Sequence, residues 1–158
     1  MATPDFVLAL REKIGTAPLW LSGVTAVVLR DNEVLLVKRA DNGKWTPVTG
    51  IIDPGEEPAV AAVREVEEEA GVIAVPERLS WVRVTEPTVY DNGDQSQYLD
   101  LVFRFRWVSG EPHPADGENT EAAWFPLDAL PEISDDMRSR VQAAVDNLPE
   151  ARFNLVNQ

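Results

Sequence analysis

Between Gly50 and Val72 the chain reads GIIDPGEEPAVAAVREVEEEAGV, an acidic run bounded by glycines and carrying one arginine, Arg64. Few local folds accommodate such a stretch. No proline follows Pro58 within it, and Ala59, Ala61 and Ala62 are strong helix formers, so residues 57 to 70 are expected to form a helix. That helix places Glu65, Glu68 and Glu69 on one face. Ala59, Val63, Val66 and Ala70 fall on the other, at the three-to-four-residue spacing of a helix docked on a core, so packing and chemistry are expected on opposite sides. Carboxylates at positions i, i+3 and i+4 repel one another by roughly 0.2–0.5 kcal/mol per pair even on an exposed helix. A hard divalent cation such as Mg2+ or Mn2+ offsets this, since it prefers oxygen ligands and keeps positions open for water and phosphate oxygens. An acidic run alone is more often a solvated face, and the surrounding pattern decides between the two.

Written out, that pattern is G-x5-E-x7-R-E-U-x-E-E-x-G-U, with U aliphatic, through Gly50, Glu56, Arg64, Glu65, Val66, Glu68, Glu69, Gly71 and Val72. Every required position is filled, and the segment resembles the Nudix box of the MutT-like hydrolases. The resemblance implies a loop-helix-loop that holds Mg2+, or Mn2+, and hydrolyses a diphosphate linkage in a nucleoside diphosphate joined to another group. It implies metal ligands at Glu65, Glu68 and Glu69, joined by the Gly50 carbonyl. Arg64 is suited to fork onto a neighbouring carboxylate and fix its orientation. Glu56, at the loop-to-helix junction, either favours the helix N-terminus or adds a metal contact. Gly71 suits a helix ending in a left-handed turn, and Glu67 points away from the acidic cluster.

Bound cations neutralise a diphosphate and lower the pKa of an attacking water, and a carboxylate must then take the proton. Glu65 or Glu69 can do so from within the box. Members of the family also use an acid from a separate loop, and PADGENTEAAW offers Glu118 and Glu121; Glu118 is favoured because Glu121 lies nearer the next apolar strand. Other chemistries find little footing. The single histidine, His113, lies in a proline-rich loop, and with zero cysteines there is no thiol nucleophile or thiolate zinc site.

At 158 residues and 44% hydrophobic, the chain suffices for one substantial core, read as a single domain over 20–158 preceded by a helical extension over 1–19. Thr3 and Pro4 read as the cap and first position of that extra helix, running to about Lys13 and offering a cover for the sheet or a homodimer surface. Val24 to Leu29 and Val34 to Val37 read as a hairpin, and Trp45 to Thr49 as a strand delivering Gly50. Further strands are expected over Leu79 to Val84, Tyr98 to Val108 and Ala122 to Phe125, with EPTVYDNGDQS as a rim loop. A closing helix from about Ser134 to Leu148 aligns Met137, Val141 and Val145. Mixed strands with helices on both sides, together with the family resemblance, imply an α/β class protein: a Nudix-type α/β/α sandwich with a mixed β-sheet.

Apolar runs are too short to span a bilayer, and the charged start MATPDFVLALREKIG is unlike a secretory signal, so a cytoplasmic protein without membrane contact is expected. A net charge of −13 disfavours long nucleic acid, which is gripped through basic surfaces. Small nucleotides remain the expected substrates. Among the nearby bases Lys38, Arg39 and Lys44, Arg39 is the preferred phosphate contact; Trp20, Trp45 and Tyr90 are candidates for stacking on a base. Pro87 resembles the proline of ADP-ribose pyrophosphatases and Tyr90 the tyrosine of dinucleoside polyphosphate hydrolases. ADP-ribose and (deoxy)nucleoside triphosphates are therefore expected ahead of capped RNA. A nucleotide-sensing module without turnover is the alternative. One departure stands out: relatives often precede the box with W-x-x-P-G-G, where this chain has Trp45-Thr46-Pro47-Val48-Thr49-Gly50.

Overall fold

The computed structural model describes residues 3–157. Its elements run α1 (Asp5–Ile14), β1 (Leu19–Arg30), β2 (Glu33–Arg39), β3 (Trp45–Thr46), β4 (Val48–Ile51), α2 (Pro58–Ala70), β5 (Ile73–Val84), β6 (Thr88–Val89), β7 (Gln95–Ser109), β8 (Asn119–Pro126), α3 (Asp135–Asp146) and β9 (Arg152–Phe153). One mixed sheet carries all the described strands, in the order β3-β2-β1-β7-β5-β9, with β4 added to β1, β6 to β7 and β8 to β2. β1 runs parallel to β7 over Leu19 to Leu29, and β9 parallel to β5; the remaining pairs are antiparallel.

Alternation along the central strands sorts side chains between two layers, because successive residues of a strand face opposite ways. Val24, Ala26 and Val28 of β1 and Leu35 and Val37 of β2 face Ala61, Ala62, Val66 and Ala70 of α2. Val27 and Leu29, with Val34 and Leu36, face Val141, Ala143 and Ala144 of α3. Strands apolar on both faces require a helix on each, and the product is the expected α/β/α sandwich. Asp31 makes the tight β1–β2 turn in a left-handed conformation, φ 52°.

Several elements differ from the expectation. Pro47 has no N–H to give a ladder, and the expected strand Trp45 to Thr49 breaks there: β3 pairs with β2, whereas β4 crosses to β1. Val48 is buried in that second pairing, opposite Ala26, so the departure from Pro-Gly supplies a core residue instead of a flexible turn. Pro4 is itself the N-cap of α1, one residue earlier than the first helical position assigned to it, and no side chain caps that helix. The rim loop contains β6, paired antiparallel to Gln95 and Ser96. β9 was not expected, since Arg152-Phe153 is too short for periodicity to mark it.

α1 docks through Val7 onto Leu21 and Ile51, with Phe6, Leu19 and Tyr98 around them. Ser134 caps α3 by accepting from the Met137 N–H at 3.2 Å. No helix among the described residues is long and apolar enough to cross a membrane.

Candidate active site

The acidic helix is α2, and both of its ends follow from sequence. Pro58 opens it, where the missing N–H costs no helical hydrogen bond, and Gly71 closes it in the left-handed region, φ 66° and ψ 20°. A side chain at Gly71 would also meet His113, because a Cβ there falls 2.1 Å from the imidazole. The loop carrying His113 satisfies the end of the helix: the His113 N–H donates to the Ala70 carbonyl at 3.1 Å and the Ala115 N–H to Glu69 at 3.3 Å. That cap sets Asp116 and Glu118 beside the acidic residues. His113 itself is exposed.

The expected division into a packing face and a chemical face is corrected by burial. Glu65 is 1% and Glu69 5% exposed, on the same inward side as Ala61, Ala62 and Val66; only Glu68 of the three is exposed. Gly50 makes room for this: an added Cβ there would lie 2.3 Å from Glu65 Cδ. Periodicity cannot find the arrangement, because the space comes from β4, not from the helix.

Arg64 organises the cluster. Its Nε and Nη2 donate to Glu56 Oε1 and Oε2 at 2.9 and 3.0 Å, and its Nη1 donates to Glu65 Oε1 at 2.9 Å and Glu68 Oε2 at 3.2 Å. Glu56 also accepts from the Asp53 N–H at 3.1 Å, and so anchors Arg64 and the loop before α2. The Arg64 hydrogen bonds hold the Glu56 carboxyl below the usual range and push the guanidinium further up. Burial pushes Glu65 up to about 7 against the pull of Arg64. Burial, reinforced by the charge of Glu65, also raises Glu69, whose Oε2 accepts from Asn119 Nδ2 at 3.2 Å.

Among the described residues no three His, Asp or Glu side chains come together as a ready chelate. Arg64 holds oxygens of Glu65 and Glu68, and Asn119 holds one of Glu69. The donor set nevertheless fits a hard cation. Among the described residues the buried Glu65 Oε2 has no hydrogen-bond partner, and it lies beside a glycine whose missing side chain leaves its backbone approachable. Two buried carboxyls raised by desolvation are the electrostatic situation that a divalent ion relieves.

Two clefts meet at Ile51. The smaller, about 290 Å³, is acidic and brings Asp53, Glu65, Glu68, Asp116 and Glu118 together with Arg64. Glu118 thus reaches the box, whereas Glu121 lies on β8 and ion-pairs with Lys38 at 2.9 Å. The larger, about 760 Å³, is lined by Arg39, Lys44, Trp45, Gly50, Tyr90 and Tyr98 among others. Arg39 forks onto Asp41, with Nε to Oδ1 at 3.0 Å and Nη2 to Oδ2 at 2.6 Å. The Tyr90 and Tyr98 hydroxyls lie 2.7 Å apart, and burial raises the Tyr98 phenol. Trp45 packs edge-on against Phe125, ring centroids 4.8 Å apart; Trp20 is exposed on β1 and does not line the cleft.

Asn119, Asp116 and Tyr98 escaped sequence reasoning. Asn119 and Asp116 flank the favoured Glu118, and that adjacency was the available signal. Tyr98 was hidden inside an expected strand.

The NUDIX domain, as a family profile, matches residues 20–144. The chain is 34% identical over 142 residues to the 8-oxo-dGDP phosphatase NUDT18 of Homo sapiens, an alignment covering 84% of this chain and 41% of that protein. It is 31% identical over 116 residues to the ADP-ribose pyrophosphatase of Methanocaldococcus jannaschii, covering 72% of this chain and 66% of the other. The chain thus spans about two fifths of the human relative's length. In fold it is similar to the crystal structure of UDP-X diphosphatase, with TM-score 0.68, 22% identity, and coverage of 97% of this chain and 75% of that one. A NUDIX hydrolase from Nitrosomonas europaea superposes with TM-score 0.65 at 26% identity, over 87% of this chain and 94% of that one. A complete box on α2, the sandwich that positions it and these likenesses converge on one conclusion: the chain belongs to the Nudix family.

Proposed function

We propose that the protein is a metal-dependent pyrophosphohydrolase that cleaves the diphosphate linkage of a small nucleoside diphosphate derivative. The observation that carries this reading is the buried, partnerless Glu65 Oε2 against Gly50, at the junction of an acidic cleft and a larger cleft bearing Arg39 and Tyr90. Glu65, Glu68 and Glu69, with the Gly50 carbonyl, would hold Mg2+ or Mn2+. When bound, the ion neutralises phosphate charge and makes water a stronger nucleophile at neutral pH. Arg64 keeps Glu65 and Glu68 oriented toward the acidic cleft. Glu118, in the same cleft, accepts the proton of the attacking water at its carboxylate. Arg39 exchanges Asp41 for a phosphate oxygen, and Tyr90 stacks on or hydrogen-bonds the nucleoside in the larger cleft.

The relatives are named for 8-oxo-dGDP and for ADP-ribose, and the acidic surface favours such small esters over capped RNA. ADP-ribose and (deoxy)nucleoside triphosphates head the expected panel, with 8-oxo-dGDP beside them. The test is incubation with that panel, with and without Mg2+, and identification of products by mass. Release of a nucleoside monophosphate only with the metal supports hydrolysis. Tight nucleotide binding with no product from any member would instead identify a non-catalytic nucleotide-sensing module.

A further inference from the structure

α1 lies outside the matched NUDIX domain region, yet it walls the larger cleft through Val7 and Arg11, while Thr3 just before it lines the same cleft and its N-cap Pro4 the acidic one. Val7 is buried against Leu21 and Ile51, and Ile51 borders both clefts, so the helix is seated where the two meet. A single side chain then ties it to the opposite lip. Arg11 is 11% exposed and spends its guanidinium on two segments far apart in sequence. Its Nη1 donates to the carbonyls of Gly15 and Ala17 at 3.1 and 2.6 Å, fixing the turn that leads into β1. Its Nη2 donates to the Gln95 carbonyl at 2.7 Å and to Ser96 Oγ at 3.3 Å, and its Nε faces Asp94 Oδ2 at 3.6 Å.

Those last contacts fall at the base of the β6–β7 hairpin, the segment that presents Tyr90. Its turn is closed by the Tyr90 N–H donating to Asp94 at 2.9 Å and the Gly93 N–H donating to Tyr90 at 2.8 Å. Gly93 is at φ 86°, and a Cβ on it would lie 3.6 Å from the Thr16 methyl, so the hairpin turn rests against the segment that Arg11 secures. The Tyr90 hydroxyl reaches Tyr98 at 2.7 Å across the same cleft. A β-ribbon this short has little stability of its own. Arg11 adds to the Tyr90–Tyr98 contact a second hold from across the cleft, at Asp94, Gln95 and Ser96.

Resting on the hydrolase reading, we infer that α1 is a wall of the substrate cleft and that Arg11 is a positioning residue, which sets nucleotide affinity by clamping the Tyr90 hairpin to that wall. A planar fork can bridge two backbone segments at once, which a lysine ammonium cannot do in the same geometry. Arg11 also lines the larger cleft but touches neither the acidic cleft nor the box, so its loss acts on binding before chemistry.

The experiment compares wild type, Arg11→Ala and Arg11→Lys in the full chain, by steady-state kinetics on the panel nucleotide turned over fastest and by hydrogen exchange. Arg11→Ala should raise KM about tenfold, as expected for about 1.4 kcal/mol of lost binding, with kcat within about twofold. Arg11→Lys should fall between the two. Amides of residues 88–95 should exchange faster in Arg11→Ala while those of α2 keep their protection. An unchanged KM with unchanged rim exchange overturns the inference. So does a joint loss of kcat, KM and α2 protection, which would make Arg11 general scaffolding. If wild type turns over no panel member with Mg2+, the hydrolase reading falls by itself, and the rim exchange of Arg11→Ala still decides whether the clamp exists.

Discussion

Gly50 and Glu65 are the pair on which the site depends most closely. An alanine at 50 would set its Cβ 2.3 Å from the Glu65 carboxyl carbon, so the acid must swing away from its buried position. Gly50→Ala should therefore lower kcat by about 10²-fold, the scale on which a misplacement of about 1 Å costs an enzyme, while the fold persists. Steady-state kinetics beside a thermal melt checks this; full activity with an intact melt would contradict it. Glu65→Gln separates charge from shape, since it keeps the volume and removes a carboxylate that burial raises to about 7. Metal affinity by calorimetry should collapse while the metal-free melting temperature at pH 7 stays equal or rises, because no charge is then forced into the interior. At this scale helical spacing marked Glu65, Glu68 and Glu69, and the resemblance to the Nudix box added Gly50 and Arg64. Neither marked Asn119 on Glu69 or Asp41 on Arg39, because contacts across a sheet or within a turn leave no periodic trace.

α2 and its C-terminal loop form the element that converts a helix into a site. Gly71 serves twice: its left-handed conformation ends the helix, and its lack of a side chain admits the His113 loop that carries Glu118. Gly71→Ala should cost about 1–3 kcal/mol of stability, from a strained left-handed alanine pressed against imidazole. Denaturant unfolding measures it, and a loss below about 0.3 kcal/mol would show that the loop yields freely. The helix boundaries were legible, since Pro58 and Gly71 are strong local signals. The burial of Glu65 and Glu69 was not, because a hydrophobic pattern assigns charged residues outward, and only the vacancy at Gly50 reverses that assignment. Pro47 likewise predicts a break but not which strand the chain joins next.

For the whole molecule, buried acids tie stability to pH. Glu65 titrates near 7 when folded and near 4.5 when unfolded, so between those values the native state keeps a proton that the unfolded chain has lost. Stability of the metal-free protein should then fall as pH rises through this window, and Glu69 and Asp100, both raised by burial, act in the same sense. Glu56 and Asp41 are held low by their arginines, so their stabilisation is present above the usual carboxylate pKa and is lost only on further acidification. Melting temperature without metal should drop by several degrees from about pH 5 to about pH 7.5, and Mg2+ should reverse the drop. A melt that rises across this window without metal would refute the burial argument. The sandwich was legible from the succession of strands and helices and from the resemblance carried by the box; β9 and the seat of α1 against the substrate cleft required three dimensions. All of this depends on cation capture beside Gly50, and the most direct measurement is anomalous scattering from crystals soaked in Mn2+. The account predicts a peak contacted by Glu65 and at least one of Glu68 and Glu69, next to the Gly50 carbonyl. Saturating Mn2+ with no peak there, and Arg64 still bound to both Glu65 and Glu68, would contradict it.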